Sequence, residues 1–201
     1  MNLAVFASGV GSNFLAIAKA VKSGRLKAKL VLLVCDNPKA PVLSKAERLK
    51  VKAALVNRKD FASKRDFEAK IISLLKENKV NFIVMAGYMR MLSSDFVRAY
   101  KNRIINIHPS LLPSFKGSQG IRDAFNHGAR ITGVTVHFVD EEMDNGPIIL
   151  QRAVEINGAE TLKSLEGKIH KAEHKLYPEA IRLILQGKVK IKGRRVRIKP
   201  V

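Results

Sequence analysis

Asn106 and His108 stand one residue apart in the run Asn106-Ile107-His108-Pro109-Ser110-Leu111-Leu112-Pro113. Side chains of an extended segment alternate, so an amide and an imidazole at i and i+2 leave the same side together. An amide N–H beside a titratable ring can stabilise a developing oxyanion and move a proton. Pro109 and Pro113 stiffen the loop that follows. A carboxylate able to face the imidazole is supplied by the turn Asp140-Glu141-Glu142-Met143-Asp144-Asn145-Gly146-Pro147, with Asp144 the candidate. Such a neighbour orients an imidazole and favours its charged form. A structural histidine and a solvated acidic hairpin turn are the competing readings of the same residues.

A third segment, Ser8-Gly9-Val10-Gly11-Ser12-Asn13, joins an apolar run to a helical pattern. Glycines let the backbone approach a ligand, and a helix N-terminus favours an anion such as phosphate. Gly11, Ser12 and Asn13 are the candidate contacts. The dinucleotide fingerprint is broken, because Phe14 stands where its third glycine belongs, and no Gly-Lys-Ser follows to make a P-loop. The alternative is an ordinary strand-to-helix turn with Asn13 as a cap. The acidic turn lacks the alternating oxygens of a calcium loop, and neither HExxH nor CxxC occurs, so no catalytic metal is expected.

The elements that must carry these residues follow from hydrophobic patterning. Asn2–Ala7, Leu30–Val34, Ala53–Val56, Phe82–Met85 and Arg103–Ile107 read as short strands, apolar on both faces. Between them, helical spacing covers Leu15–Val21, Val42–Leu49, Asp66–Leu75 and Ser94–Tyr100, the last capped by Ser93 or Ser94. This alternation predicts an α/β fold: a mostly parallel sheet with helices on both faces. After Ile107 come an irregular loop, a short helix near Ile121–Phe125, strands at Val134–Val139 and Ile148–Val154, and a long helix over Thr161–Gln186. Asn106 and His108 then fall at the carboxyl end of a strand, where open α/β sheets bind ligands.

The chain has 201 residues, 46% of them hydrophobic and 27% charged, which excludes disordered, collagen-like and disulfide-stapled chains. Its one cysteine, Cys35, fits a reducing, cytoplasmic setting. No apolar run approaches the ~20 residues that span a bilayer, and the N-terminus lacks the features of a signal peptide. With 37 Lys and Arg against 17 Asp and Glu, the net charge of +20 suggests anionic partners, whether nucleic acid or phosphorylated and carboxylated small molecules. Part of this charge is local: residues 188–201 carry seven basic residues and no acid. That tail reads as a small hairpin turning at Lys192-Gly193, with no group that suggests chemistry, and its removal is expected to leave turnover within a few-fold.

Taken together, the three segments resemble the phosphoribosylglycinamide formyltransferase family, folate-dependent enzymes of purine synthesis, from residue 1 to about Gln186. The run from Asn106 to Pro113 is similar to one shared by enzymes that use 10-formyltetrahydrofolate. Gly133–Gln151 matches the family's active-site signature, and Ser8–Asn13 resembles its substrate-phosphate loop. The resemblance implies a Rossmann-like formyltransferase fold, with one catalytic domain over 1–187. Its mononucleotide-binding half is 1–105, its active-site half 106–187, and a basic tail follows over 188–201. It implies formyl transfer from 10-formyltetrahydrofolate to the amine of 5-phosphoribosylglycinamide, with Asn106, His108 and Asp144 as the catalytic trio. Gly11, Ser12, Asn13 and Glu173 become substrate contacts. Lys64, Arg65, Met89, Arg90, Met91, Leu92, Asn106 and Asp140 become folate contacts. The chain carries Ser118-Gln119-Gly120 where some members have histidine, and Lys64-Arg65 where the family often has Arg then Glu.

Two other formyl-group enzymes share part of the signature. Initiator methionyl-tRNA formyltransferases carry a further C-terminal domain, and formyltetrahydrofolate hydrolases usually an N-terminal regulatory one; neither is expected here. A nucleic-acid-binding module is the distant alternative. The absence of Trp, with only 3 Tyr and 9 Phe and no basic–aromatic stacking motif, argues against it. The expected partners are small molecules, with no membrane and no specific nucleic acid, and the expected state is monomer or homodimer.

Overall fold

Apolar runs bounded by turn residues become the first strands of the sheet. The computed structural model describes residues 1–199, so Pro200 and Val201 of the basic tail lie outside the described residues. In chain order the elements are β1 (Asn2–Phe6), α1 (Ser12–Lys22), β2 (Lys29–Cys35), α2 (Val42–Arg48), β3 (Ala53–Leu55), α3 (Lys64–Glu77), β4 (Phe82–Met85), α4 (Ser94–Ala99) and β5 (Ile104–His108). They continue with α5 (Gly120–Asn126), β6 (Ile131–Phe138), β7 (Ile148–Glu155), α6 (Leu162–Leu185), β8 (Val189–Lys192) and β9 (Arg195–Ile198). Seven strands form one mostly parallel sheet in the order β3-β2-β1-β4-β5-β6-β7, and β8 and β9 form a separate pair. The α/β class and the strand-by-strand alternation expected from the sequence are therefore present.

The chain divides into two compact units, Met1–Ile105 and Asn106–Val201. In the first, β1 pairs in parallel with β2 and β4, and β2 with β3. Leu3 to Phe6 are fully buried, which is why these positions are all apolar rather than alternating. The Phe6 ring meets Tyr88 and Phe96 edge-on, with centroids 5.3 and 6.3 Å away. Ser93 caps α4 by accepting from Phe96 N–H, and the buried Glu68 carboxylate accepts from Ser93 N–H and Oγ–H. Helix α1 starts at Ser12, three residues before the Leu15 expected from the sequence, because polar Ser12 and Asn13 occupy the opening turn.

In the second unit β6 and β7 are antiparallel, with an irregularity at Val136/His137 beside the loop they enclose. Strand β6 begins at Ile131, earlier than the apolar run suggests, because Gly133 interrupts the pattern without interrupting the ladder. A Cβ at Gly133 would lie 2.2 Å from Arg152 O and 2.6 Å from Leu111 Cδ2, so the close approach requires glycine. Helix α6 lies on β6 and β7 and buries Leu165, Ile169, Leu176, Tyr177 and Ile181. The 188–199 segment forms an antiparallel hairpin whose turn is Gly193-Arg194, with Gly193 at φ +58°.

Phe6→Ala should cost about 3–5 kcal/mol, the scale for deleting a buried aromatic ring from a close-packed core. Urea unfolding of the variant checks this, and a loss below about 1 kcal/mol would show that Tyr88 and Phe96 do not depend on it.

Candidate active site

Strand β5 delivers Asn106 and His108 on one side, as their spacing requires, and ends there because Pro109 cannot continue the ladder. His108 is 3% exposed. The loop after it is tied down by a buried hydroxyl. Thr135 Oγ1, on β6, donates to Ser110 O (2.7 Å) and accepts from Leu112 N–H (3.0 Å) and Gln151 Nε2 (3.0 Å). Every hydrogen-bonding position of that hydroxyl is used. Gln151 also donates to Leu112 O, and Ser110 Oγ donates to Ser114 O. These bonds hold the His108–Ser114 backbone to β6 and β7.

The β6–β7 loop brings Asp144 to His108. Asp144 has φ +49°, a left-handed conformation that Asp tolerates better than most residues. Two residues on, a Cβ at Gly146 would lie 1.9 Å from Phe138 O, so only glycine lets the loop fold back this tightly. Asp144 Oδ2 accepts from Gly117 N–H at 2.9 Å and stands 3.4 Å from His108 Nδ1. His108 Nε2 lies 2.7 Å from Phe115 O. A carbonyl can only accept, so Nε2 carries hydrogen, and the Asp144 carboxylate faces the other ring nitrogen. A Cβ at Gly120 would stand 3.1 Å from His108 Nε2, so the start of α5 also closes on this ring.

A residue not singled out in the sequence completes the group. His137, on β6 and 2% exposed, places Nδ1 2.8 Å from Phe138 O and Nε2 3.5 Å from Asn106 Nδ2 and 3.8 Å from Asp144 Oδ1. Burial holds its imidazole below the usual range, against the Phe138 carbonyl and the Asp144 charge. Neutral, with Nδ1–H on Phe138 O, it offers Asn106 a bare Nε2 at the outer limit of hydrogen bonding. The signal available in sequence was alternation: His137 shares strand parity with Thr135, opposite the apolar Val134, Val136 and Phe138.

The remaining candidates sit as follows. Gly11 is the N-cap of α1 with φ +73° and no side-chain cap bond, and a Cβ there would lie 2.3 Å from Val42 Cγ2. Ser12 and Asn13 open the helix, so Asn13 is not its cap. Behind this loop the buried Asp36 carboxylate accepts from Ser8 Oγ–H (2.6 Å) and pairs with Arg90 Nε, and Met89 N–H donates to Ser8 Oγ. The Arg90 guanidinium therefore anchors the 86–92 segment, while Met89 and Met91 are exposed and Leu92 is buried. Lys64 lies 3.9 Å from Glu68, and Arg65 is exposed. Asp140 closes its own turn, accepting from Glu142 N–H and Asn145 Nδ2. Glu173 is buried, and its hydrogen bond holds the His170 imidazole above the usual range. Among the described residues no cluster of three or more His, Cys, Asp or Glu could hold a metal ion, and no helix is long and apolar enough to cross a membrane.

A strand-end amide and imidazole, backed by a carboxylate, are what acyl transfer needs, and comparison with known proteins narrows the chemistry. The family described as formyl transferase matches residues 1–181. The chain belongs to this family. It is 47% identical over 182 residues to a phosphoribosylglycinamide formyltransferase of Bacillus subtilis (strain 168), covering 90% of this chain and 93% of that one. The crystal structure of glycinamide ribonucleotide transformylase 1 from Symbiobacterium toebii aligns with a TM-score of 0.96 at 40% identity, over 98% of this chain and 93% of that one. The transformylase 1 of Geobacillus kaustophilus aligns at 0.89 and 49% identity, over 92% and 98%. As a formyl transferase family member, the chain has a formyl group as its cargo.

His137 generates a pH prediction. Its imidazole takes a proton near the ordinary value of 6.5 in the unfolded chain and only at lower pH in the folded one. Below 6.5 the unfolded chain then binds more protons, so stability falls as pH drops. His137→Gln should flatten the slope of unfolding free energy between about pH 7.5 and about pH 5. An unchanged slope in urea titrations of the two proteins would contradict a neutral buried His137.

Proposed function

We infer that this protein transfers the formyl group of 10-formyltetrahydrofolate to the amine of 5-phosphoribosylglycinamide, yielding formylglycinamide ribonucleotide and tetrahydrofolate in purine biosynthesis. The observation that carries this reading is the Asn106–His108–Asp144 group in a chain that matches phosphoribosylglycinamide formyltransferases over nearly its full length.

The chemistry follows from the geometry. The acceptor amine attacks the formyl carbon, and negative charge develops on the formyl oxygen. His108 Nε2–H is the charged donor to that oxygen, which takes the place of Phe115 O as acceptor. The Asn106 amide, one N–H of which is turned toward His137, gives the other. Losing one such preorganised donor costs roughly 3–4 kcal/mol of barrier. Asp144 fixes the ring through Nδ1 and offsets its charge. The attacking nitrogen then loses a proton and the folate nitrogen gains one as the C–N bond breaks. His108 carries that proton directly or through water. Gly11, Ser12 and Asn13 hold the substrate phosphate at the α1 N-terminus, and Glu173 meets the ribose. Residues 86–92 and Asp140 border the pterin, with Lys64 or Arg65 meeting the folate's glutamate carboxylate. The net charge of +20 attracts both anionic substrates, which raises the encounter rate. Such substrates are those of the cytoplasm.

A coupled assay with 10-formyltetrahydrofolate and alternative acceptors tests the reading. Phosphoribosylglycinamide should be formylated, and charged initiator tRNA should not. Preferential use of the tRNA, or formate release without an acceptor, would overturn it. Within the same assay, Gly11→Ala should raise KM for phosphoribosylglycinamide about 10-fold or more, the scale of one lost charge-assisted bond, with folate KM nearly unchanged. Equal rises in both constants would remove the phosphate from this loop.

A further inference from the structure

We propose that Arg194, at the tip of the β8–β9 hairpin, is a positioning residue that holds the loop carrying Asp144 in its working geometry. The proposal rests on the role given to Asp144 in the proposed function. Read as sequence, the tail is only a run of charge whose removal should leave turnover within a few-fold; the Arg194 contact points the other way. In the structure Arg194 Nη2 donates to Asn145 O at 2.7 Å and stands 3.4 Å from Asn145 Oδ1. Asn145 directly follows Asp144. Lys116 Nζ reaches the same Oδ1 at 3.4 Å, and Asn145 Nδ2 donates to Asp140 Oδ2 at 3.1 Å. Strand β9 lies against β7, which begins just after this loop.

The geometry explains why such a clamp is needed. Asp144 must satisfy two partners with one oxygen, Gly117 N–H and His108 Nδ1, from a left-handed backbone that its own preferences do not select. Glu141, Glu142 and Met143 on the preceding side are exposed and supply little packing. On the following side Gly146 is pressed against Phe138 O. Arg194 fixes the carbonyl between these two stretches, so the turn that sets the direction of the Asp144 side chain is pinned at Asn145. The loop holds four acids, Asp140, Glu141, Glu142 and Asp144, and the hairpin brings only cations, so the long-range field favours the same contact.

Steady-state kinetics of the full chain tests this with Arg194→Ala, Arg194→Lys, Arg195→Ala and Asp144→Asn. A misplacement of about 1 Å can cost up to about 10²-fold in rate. Arg194→Ala should lower kcat about 10-fold, with both KM values within about 2-fold of the parent. Arg194→Lys should recover most of the loss, because an ammonium can also donate to Asn145 O. Arg195→Ala removes an exposed charge of the same sign and should change nothing. Adding Arg194→Ala to Asp144→Asn should cost no further rate, since the arginine acts through that carboxylate. Arg194→Gln, which keeps an N–H donor with a shorter reach, should fall between parent and Arg194→Ala and serves if the alanine variant melts early. An unchanged kcat in Arg194→Ala beside a large loss in Asp144→Asn would overturn the clamp and leave the role of Asp144 standing. Equal losses in Arg194→Ala and Arg195→Ala, or multiplying losses with Asp144→Asn, would also overturn it. An unaffected Asp144→Asn would instead remove the reading on which the clamp rests.

Discussion

One oxygen organises the second unit of this protein. Asp144 Oδ2 accepts from Gly117 N–H and faces His108 Nδ1, and much of the surrounding structure serves to bring those groups together. The β6–β7 loop folds back tightly enough only because Gly146 has no side chain. The loop bearing Gly117 runs on from a segment tied to β6 by the Thr135 hydroxyl. A largely buried carboxylate left without partners would be costly, so its two contacts stabilise the arrangement as well as orient the ring.

The two buried histidines meet different surroundings. His108 is flanked by a carboxylate on one nitrogen and a carbonyl on the other, and both are acceptors. His137 has a carbonyl on Nδ1 and an amide nitrogen near Nε2, and its burial disfavours charge. In the proposed mechanism one ring donates to the developing oxyanion and the other orients the amide that donates beside it. This division of labour between chemically identical side chains comes from tertiary placement alone.

That placement marks the limit of what the sequence made legible. The first four strands were visible because they are mainly apolar runs, and Asn106 and His108 were visible because period-2 spacing is local information. Asp144 could be named because the acidic turn is distinctive. His137 was hidden inside a strand, where a buried polar residue reads as an interruption of the core. Phe115 O and Gly117 N–H could not be seen, because backbone groups carry no residue type. The start of α1 was missed since Ser12 and Asn13 lack the apolar signal that marks a helix. Arg194 was one of seven like charges, and nothing local separates the one that reaches Asn145 from the six others.

The central claim is that His108 and Asp144 act as one unit, and a double-mutant cycle on turnover measures that directly. Asp144→Asn should lower kcat by about 10²-fold or more, and His108→Ala by at least as much. The double variant should be little slower than His108→Ala alone, because groups that act together are not additive. Binding of each substrate, titrated in parallel, should survive in all three. Losses that multiply, with both ligands still bound, would show that the two residues work independently and would contradict the account.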